Sequence, residues 1–444
     1  MPDLAEPRIL AWAGTDERAE EAARTELADR LELAGPKDLD EIADETALRL
    51  VGGPDDRRAV RGALVTSSGP AAADLLRSGR ILRRDTRRQR PRPIALLFPG
   101  HGSQHPRMGV GLYGHETAFP ALPAFPTLPA FPALTAFTAF TEAMDDFFAA
   151  IGPTGPMLRE AWLAEDPERR IDEGELGQPL LYAVGHALAR MLIGWGVRPA
   201  AVLGHSVGEL VAATVAGVLG PPDGARLMAA RSHTYAPVVA GGLLAVAASA
   251  QELAPFAVGE VSVAVVNGPR QTALGAPAPA LDALERELRL AGFVARRTRI
   301  RQPFHTPHAV PAADLFEPAF AAVDLRPPVL PVYSSASAAP VGPDEATRPR
   351  FWARQMSEPV LFGPALDRLL GDHHLLLVEA GPSQALTALA RRHPAVTAGH
   401  SAAVALLPAR PDHGRADRET ALRAAARIWV EGHQLDWTAI RSRS

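Results

Sequence analysis

The residues best placed to do chemistry are Gly204-His205-Ser206-Val207-Gly208. They follow a short apolar run, PAAVLG (199–204), and lead into VGELVAATVAGVL (207–219), an apolar stretch with helical spacing. A serine in that setting sits on a nucleophile elbow. The turn is so sharp that flanking side chains would clash with strand and helix, and the hydroxyl is pushed out over the sheet edge. The helix beginning at Val207 aims free amides at the same place, where they would stabilise a developing oxyanion. A hydroxyl needs a base to be nucleophilic near neutral pH. Of 14 histidines, His305 and His308 in QPFHTPH (302–308) follow a predicted strand downstream of the serine, and spacing alone does not choose between them. The chain has no cysteine, which excludes a thiol nucleophile, disulfides, iron–sulfur clusters and thiolate zinc sites.

The elements that must position the serine read as strand, tight turn and helix, repeated. IALLF (94–98) has the continuous apolar character of a strand buried on both faces, and it runs into the glycine-rich turn PGHGSQ (99–104). QPLLYAVGHALARMLIGW (178–195) is a strongly apolar helix, and LLLVEAG (375–381) reads as a last strand, reached through PVLPVYSS and followed by a closing helix. This is the grammar of a parallel α/β sheet. Between about 236 and 300 the order becomes β-α-β-β-α-β, that of an inserted ferredoxin-like module. Residues 8–78 read as a small mixed module. It has a strand RILAWAG, a helix over 16–33 with Thr15 as N-cap, a second helix near 38–49 and a further strand in RAVRGALVTSS.

At 444 residues the chain has room for about three structural units at roughly 150 residues each. Apolar residues make up 47% and charged residues 22%, the balance of a soluble globular protein with a real core. The formal charge of -4 argues against a nucleic-acid surface. No secretion signal opens the sequence, so the expected location is cytoplasmic. Residues 117–141 match a membrane span in length and lack of charge, but five prolines from Pro120 to Pro132 rule out a spanning helix. Those prolines recur every third residue, the polyproline II period, which gives two readings of the 118–140 tract: a partner-docking rod, or a repeat expanded within a surface loop. SGRILRRDTRRQRPRP (78–93) carries seven arginines against one aspartate. It reads as a solvated linker, with a docking strip for an acidic partner as the alternative.

Residues 94–440 resemble the malonyl-type acyltransferase family of malonyl-CoA:acyl carrier protein transacylases and polyketide synthase acyltransferase domains. The resemblance rests on FPGHGSQ (98–104), QPLLYAVGHAL (178–188), GHSVGE (204–209), LLAVAA (243–248), VAVVNGP (263–269), PFHTP (303–307), WARQMSEPV (352–360) and VEAGP (378–382). It implies an α/β-hydrolase-like parallel-sheet core over 93–235 and 301–424, and a small ferredoxin-like subdomain over 236–300. It further implies a linker domain over 1–92, like that between ketosynthase and acyltransferase, and a post-acyltransferase segment over 425–444. Neither a ketosynthase nor a carrier protein lies in the sequence, so the expectation is a free-standing, monomeric enzyme serving its carrier in trans.

The resemblance also assigns roles. Ser206 becomes the acylated nucleophile and His305 its general base and acid, oriented by a backbone carbonyl instead of an aspartate. The oxyanion hole falls to the amides of Val207 and His101, the latter a departure from the usual glutamine. Arg231, twenty-five positions after the serine, holds the slot that binds the free carboxylate of malonyl groups, for which a guanidinium fork is well shaped. Gln355 matches a glutamine bordering the histidine and pocket, while Val207 and Phe304 fill places that usually accompany malonyl. Further departures are Leu274-Gly275-Ala276 and Ser383. The implied reaction is ping-pong transfer of a malonyl-type group from CoA to a carrier phosphopantetheine, with no metal or redox cofactor. The rivals are transfer of acyl or aminoacyl groups between carriers, carrier thioester hydrolysis, and a non-catalytic docking protein.

Overall fold

A computed structural model of the chain describes residues 6–51, 58–88, 90–114, 136–166, 170–411 and 414–440. At the N-terminus, β1 (Arg8–Gly14), β2 (Val60–Thr66) and β3 (Leu82–Asp85) pair antiparallel in that order. The first helix is Glu17–Leu31, and its cap is Asp16, not Thr15. The Asp16 carboxylate accepts the Ala19 amide at 2.8 Å, and an anion there also complements the positive helix end. One face of the sheet, with Leu10, Trp12 and Leu64, packs on helices Glu17–Leu31 and Gly69–Arg77. The other face, with Ile9, Ala11 and Ala63, joins the main core and meets the helix Arg415–Glu431.

Part of the arginine strip is tied down by acids within the chain, while Arg80, Arg87, Arg88 and Arg90 stay exposed. Arg83 pairs with Glu20 at 2.7 Å and Arg88 with Glu17 at 3.2 Å. Arg84, Arg92 and Arg427 converge on Glu431, whose side chain has no exposed surface. A carboxylate so desolvated needs compensating charge, and three guanidiniums supply it.

The central sheet begins with β4 (Ile94–Phe98), every residue of which is fully buried, and β5 (Pro199–Gly204). The apolar helix Gly174–Gly194 lies between them in sequence, and the helix Gly208–Val215 follows β5. The latter stops short of the apolar run to 219, because Gly217 takes a left-handed φ of 74° that ends the helical backbone.

The chain then makes a second sheet from β6 (Gly241–Val246), β7 (Ser262–Gly268), β8 (Gln271–Pro277) and β9 (Ala295–Arg297). Its order is β7-β8-β6-β9, antiparallel throughout, with helix Ala278–Leu290 between β8 and β9. That is the order of a ferredoxin-like unit. The return supplies β10 (Val332–Ser334), β11 (Ala339–Pro340), β12 (Leu376–Glu379) and β13 (Ala402–Ala405). The six-stranded order is β11-β10-β5-β4-β12-β13, parallel except for β11. LLLVEAG is therefore not the last strand; β13 pairs beyond it at the sheet edge.

The tract called a loop over 118–140 divides. Ala136, Phe137 and Phe140 are buried, the helix Thr138–Ala150 starts there, and Trp195 Nε1 donates to the Ala136 carbonyl at 2.7 Å. Residues 118–135, and with them the proline repeat, lie outside the described residues. Among the described residues no helix is long and apolar enough to cross a membrane.

Candidate active site

The turn after β5 is built by glycine. A side chain at Gly204 would start 2.3 Å from the Glu209 amide nitrogen, and one at Gly208 would start 2.2 Å from the Phe98 carbonyl oxygen. Nothing larger than hydrogen fits at either place. Between them Ser206 is held at φ 54°, a left-handed conformation that costs a non-glycine residue of order 1–3 kcal/mol. The amides of Gly208, Glu209 and Leu210 donate to the carbonyls of His205, Ser206 and Val207, which closes the first turn of the helix behind the serine.

His305 reaches this turn from 99 positions downstream, and its Nε2 lies 2.7 Å from Ser206 Oγ. It too has a left-handed backbone, at φ 64°. Three contacts fix it. Its amide donates to the Met356 carbonyl at 2.8 Å, its ring Nδ1–H donates to the Glu358 carbonyl at 3.0 Å, and Ser206 takes the remaining nitrogen. The Nδ1 bond sets the tautomer, leaving the Nε2 lone pair for the serine proton. Burial pushes the imidazole down to about 3, opposed by the Glu358 carbonyl and assisted by the neighbouring His205 and Arg231. His305 therefore rests neutral. His308 stands apart: it is half-buried, and its Nε2 donates to the Glu260 carbonyl at 2.9 Å.

Arg231 is 3% exposed, on the helix Pro221–Ser232. Its Nε donates to Gln178 Oε1 at 2.8 Å, and the Tyr235 hydroxyl donates to the same oxygen at 2.8 Å. The guanidinium lies 5.5 Å over the Phe316 ring. Among the described residues no carboxylate pairs with it, and burial holds its pKa below the usual arginine value. With Nε committed to Gln178, the terminal nitrogens form a fork free to take two oxygens of an anion. Its charge is felt at both His305 and His101.

Phe304 is buried beside the base, edge-on to Tyr235 at 5.2 Å between ring centres. His101 lies on the turn after β4, its Nε2 donating to the Asp172 carbonyl at 3.0 Å. The preceding Gly100 brings that turn against the elbow, since a Cβ there would sit 3.0 Å from Ser206 Cβ. Gln355 lies beside His305, on which its backbone acts. Its Nε2 turns into the protein and donates to Glu209 Oε2 at 2.6 Å.

Three participants were not singled out in the sequence: Gln178, which holds Arg231; Asn267, whose Oδ1 accepts His205 Nε2–H at 3.0 Å; and Glu209. Glu209 carried a signal, being the one charged residue in an otherwise apolar helix, whereas Gln178 shares its helix with Glu175, His186 and Arg190. Asn267 carried none beyond its place in VNGP.

A serine–imidazole pair, with two turns converging on it and a buried guanidinium close by, has the parts that acyl chemistry uses. Comparison with known proteins agrees with that chemistry. A model described as an acyl transferase domain matches residues 134–434. One component of the phenolphthiocerol/phthiocerol polyketide synthase of Mycobacterium tuberculosis is 30% identical over 348 residues, which is 78% of this chain and 22% of that protein. Spectinabilin polyketide synthase system protein NorB of Streptomyces orinoci is 31% identical over 353 residues, 78% of this chain and 15% of that one. The chain thus spans less than a quarter of either relative. Among solved structures, the acyl transferase domain of SpnD in complex with 2-(pent-4-yn-1-yl)malonyl superposes with a TM-score of 0.79 at 28% identity, covering 99% of this chain and 98% of that one. The malonyl CoA-acyl carrier protein transacylase of Coxiella burnetii, at 22% identity and a TM-score of 0.61, covers 77% of this chain and 99% of its own; it shares the fold.

Proposed function

The chain belongs to the acyl transferase domain family, and from that premise we propose that it moves a malonyl-type acyl group from coenzyme A to the phosphopantetheine thiol of an acyl carrier protein in polyketide biosynthesis. The observation that carries the reading is the buried Arg231, held by Gln178 with its fork unpaired and close enough to lower the pKa of His305. A guanidinium kept dry and without a carboxylate is costly, and a substrate carboxylate would relieve that cost.

The reaction follows from the dyad. Ser206 Oγ attacks the thioester carbonyl while His305 Nε2 takes its proton, the Glu358 carbonyl supporting the imidazolium through Nδ1–H. The tetrahedral oxyanion would face the amides of Val207 and His101, on the two turns that meet at Gly100. Collapse breaks the carbon–sulfur bond, and His305 returns its proton to the departing CoA thiolate. The carrier thiol then enters, gives its proton to His305 and takes the acyl group, and the same proton restores Ser206. Phe304, packed against Tyr235, would crowd a substituent on C2 of the acyl group and favour malonyl over its methyl relative. One methylene gives about 1–3 kcal/mol of discrimination, so leakage is expected.

The test is intact-protein mass spectrometry after mixing with malonyl-CoA, with and without a carrier protein. The expected result is one malonyl group on Ser206 that passes to the carrier. Release of free malonate would point to a hydrolase, loading only from another acyl carrier to carrier–carrier transfer, and no adduct at all to a docking protein.

A further inference from the structure

Glu209 lies three residues after the nucleophile, on the first turn of the helix Gly208–Val215, and it is fully buried. Its carboxylate is saturated with donors. Oε1 accepts the amides of Ser335 and Ala336 at 2.9 and 3.1 Å and also the Ser335 hydroxyl. Oε2 accepts the Ser334 hydroxyl at 2.8 Å and Gln355 Nε2 at 2.6 Å. The first four bonds join the elbow helix to the end of β10. The fifth reaches a different segment, the one that follows the helix Pro349–Arg354.

That segment is where His305 gets its orientation. Met356, one residue after Gln355, supplies the carbonyl that receives the His305 amide, and Glu358 supplies the one that receives Nδ1–H. The segment is tied elsewhere by the Arg354–Asp314 ion pair at 3.0 Å and by the exchange of bonds between Val360 and β7. Neither tie touches the serine. The Glu209–Gln355 bond links the nucleophile's own helical turn directly to the loop that aims the base, and it is short.

We infer that Glu209 is a positioning residue, and that through Gln355 it sets the distance between Ser206 Oγ and His305 Nε2. The inference rests on reading Ser206 and His305 as the reacting pair. Glu209 touches neither of them with its side chain and transfers no proton. It acts as a strut: the serine rides on the first turn of its helix, the base rides on the 354–358 loop, and the carboxylate holds the two in register. The left-handed backbones of Ser206 and His305 give the strut a purpose, because strained conformations persist only where surrounding bonds over-determine them.

The experiment uses the full chain and a fluorophosphonate, a serine-directed probe that requires an activated Ser206 but no particular acyl-CoA. The rate constant of labelling at saturation, kinact, and the half-saturating concentration, KI, are measured for wild type, Glu209→Gln, Gln355→Met and the exchange variant Glu209→Gln/Gln355→Glu. Full loss of base assistance costs about 10²–10⁴ in rate, so a misaimed base should cost at least about tenfold. Glu209→Gln leaves at best a weaker amide–amide bond, made after the Gln355 amide flips, and should lower kinact with KI unchanged. Gln355→Met should do the same while sparing the four bonds to β10. The exchange variant restores an amide–carboxylate pair across the same gap and should recover much of the rate. Wild-type kinact in both single variants would overturn the inference. So would losses in kinact and KI together that the exchange does not repair, since that pattern marks general damage to the fold. Melting temperatures are recorded alongside, and Gln355→Met decides the matter should Glu209→Gln fail to fold. If wild type takes the fluorophosphonate but no malonyl group, the substrate reading falls and the strut stands. If it takes both and the single variants label normally, the strut alone falls.

Discussion

Replacing Arg231 by methionine isolates what the guanidinium contributes to substrate choice. Methionine keeps an unbranched side chain of similar reach and packs well on an aromatic ring, so the contact with Phe316 survives and little cavity opens. The free protein loses one hydrogen bond to Gln178, whose oxygen still accepts from Tyr235, and it also sheds a buried cation with no carboxylate beside it. These effects oppose each other, so the melting temperature should change little. Substrate binding changes far more. A malonyl carboxylate brought against methionine is desolvated with nothing to replace the lost water, and breaking a buried charge pair from one side costs about 3–5 kcal/mol. At 1.36 kcal/mol per decade that is roughly a hundred- to several-thousand-fold in kcat/KM for Ser206 acylation. Acetyl-CoA should move the other way, because its methyl group leaves Arg231 buried and unpaired in the wild type but meets an apolar wall in the variant. The assay is quenched-flow mass spectrometry of the acyl-enzyme with each thioester separately. Malonyl acylation unchanged in Arg231→Met, or acetyl-CoA the better acyl donor to wild type, would refute the carboxylate role.

Further outcomes follow from the same geometry. Ser206→Ala should keep its melting temperature and lose the acyl adduct, and His305→Ala should acylate about 10²–10⁴ more slowly, whereas His308→Ala should be close to wild type; the reverse order for the two histidines would move the base. The form of His305 that accepts the serine proton is the neutral one, and burial pushes its pKa down to about 3. In Glu209→Gln, where the carboxyl that burial raises to about 7 is gone, acylation should therefore stay level as pH falls from 7 to about 5. A half-loss near the ordinary histidine value of about 6.5 in that variant, read by rapid acylation while circular dichroism stays native, would contradict the buried, neutral base. Gly208→Ala should fail to reach the native fold or melt far lower, since its Cβ would lie 2.2 Å from a carbonyl in β4, and a native-like melting curve would show that the turn relaxes. Glu431→Gln should lower stability by up to about 3–5 kcal/mol in urea, because Arg84, Arg92 and Arg427 lose their shared anion; no change would mean that solvent screens the cluster.

What could be read from the chain divides by the range of the forces involved. β4, β5 and the elbow were legible because their causes are local: a continuous apolar run, then glycines whose need for space is decided by the next few residues. The inserted sheet was legible as a pattern of alternating elements. His305 was not legible from spacing, since 99 residues separate it from Ser206, and only the motif around it distinguished it from His308. The strip over 78–93 was read only in part for a related reason. Its charge was plain, but its acids, Glu20 and Glu431, lie far away in sequence and become partners only once folded. Gln355 was placed beside the histidine, but its bond to Glu209 was not legible, because a motif fixes a position in the chain and not the rotamer that points the amide toward Glu209. The short strands β11 and β13 escaped because two to four residues are too few to show a period.

The convergence of Arg84, Arg92 and Arg427 on Glu431 bears on how such a catalytic unit is cut from or grafted into a larger protein. Motif matching places the catalytic body after residue 92, where an excision looks harmless. Mechanically the seam lies elsewhere. A cut there removes two of the three cations around a fully buried carboxylate, and it strips β1 and β2 from the helix Arg415–Glu431 they cover. The trimmed piece would carry an anion left with Arg427 alone and a newly wetted apolar helix face, a recipe for insolubility with every reacting group intact. A graft that keeps residues 6–440 as one piece leaves the Glu431 cluster and the covered helix undivided.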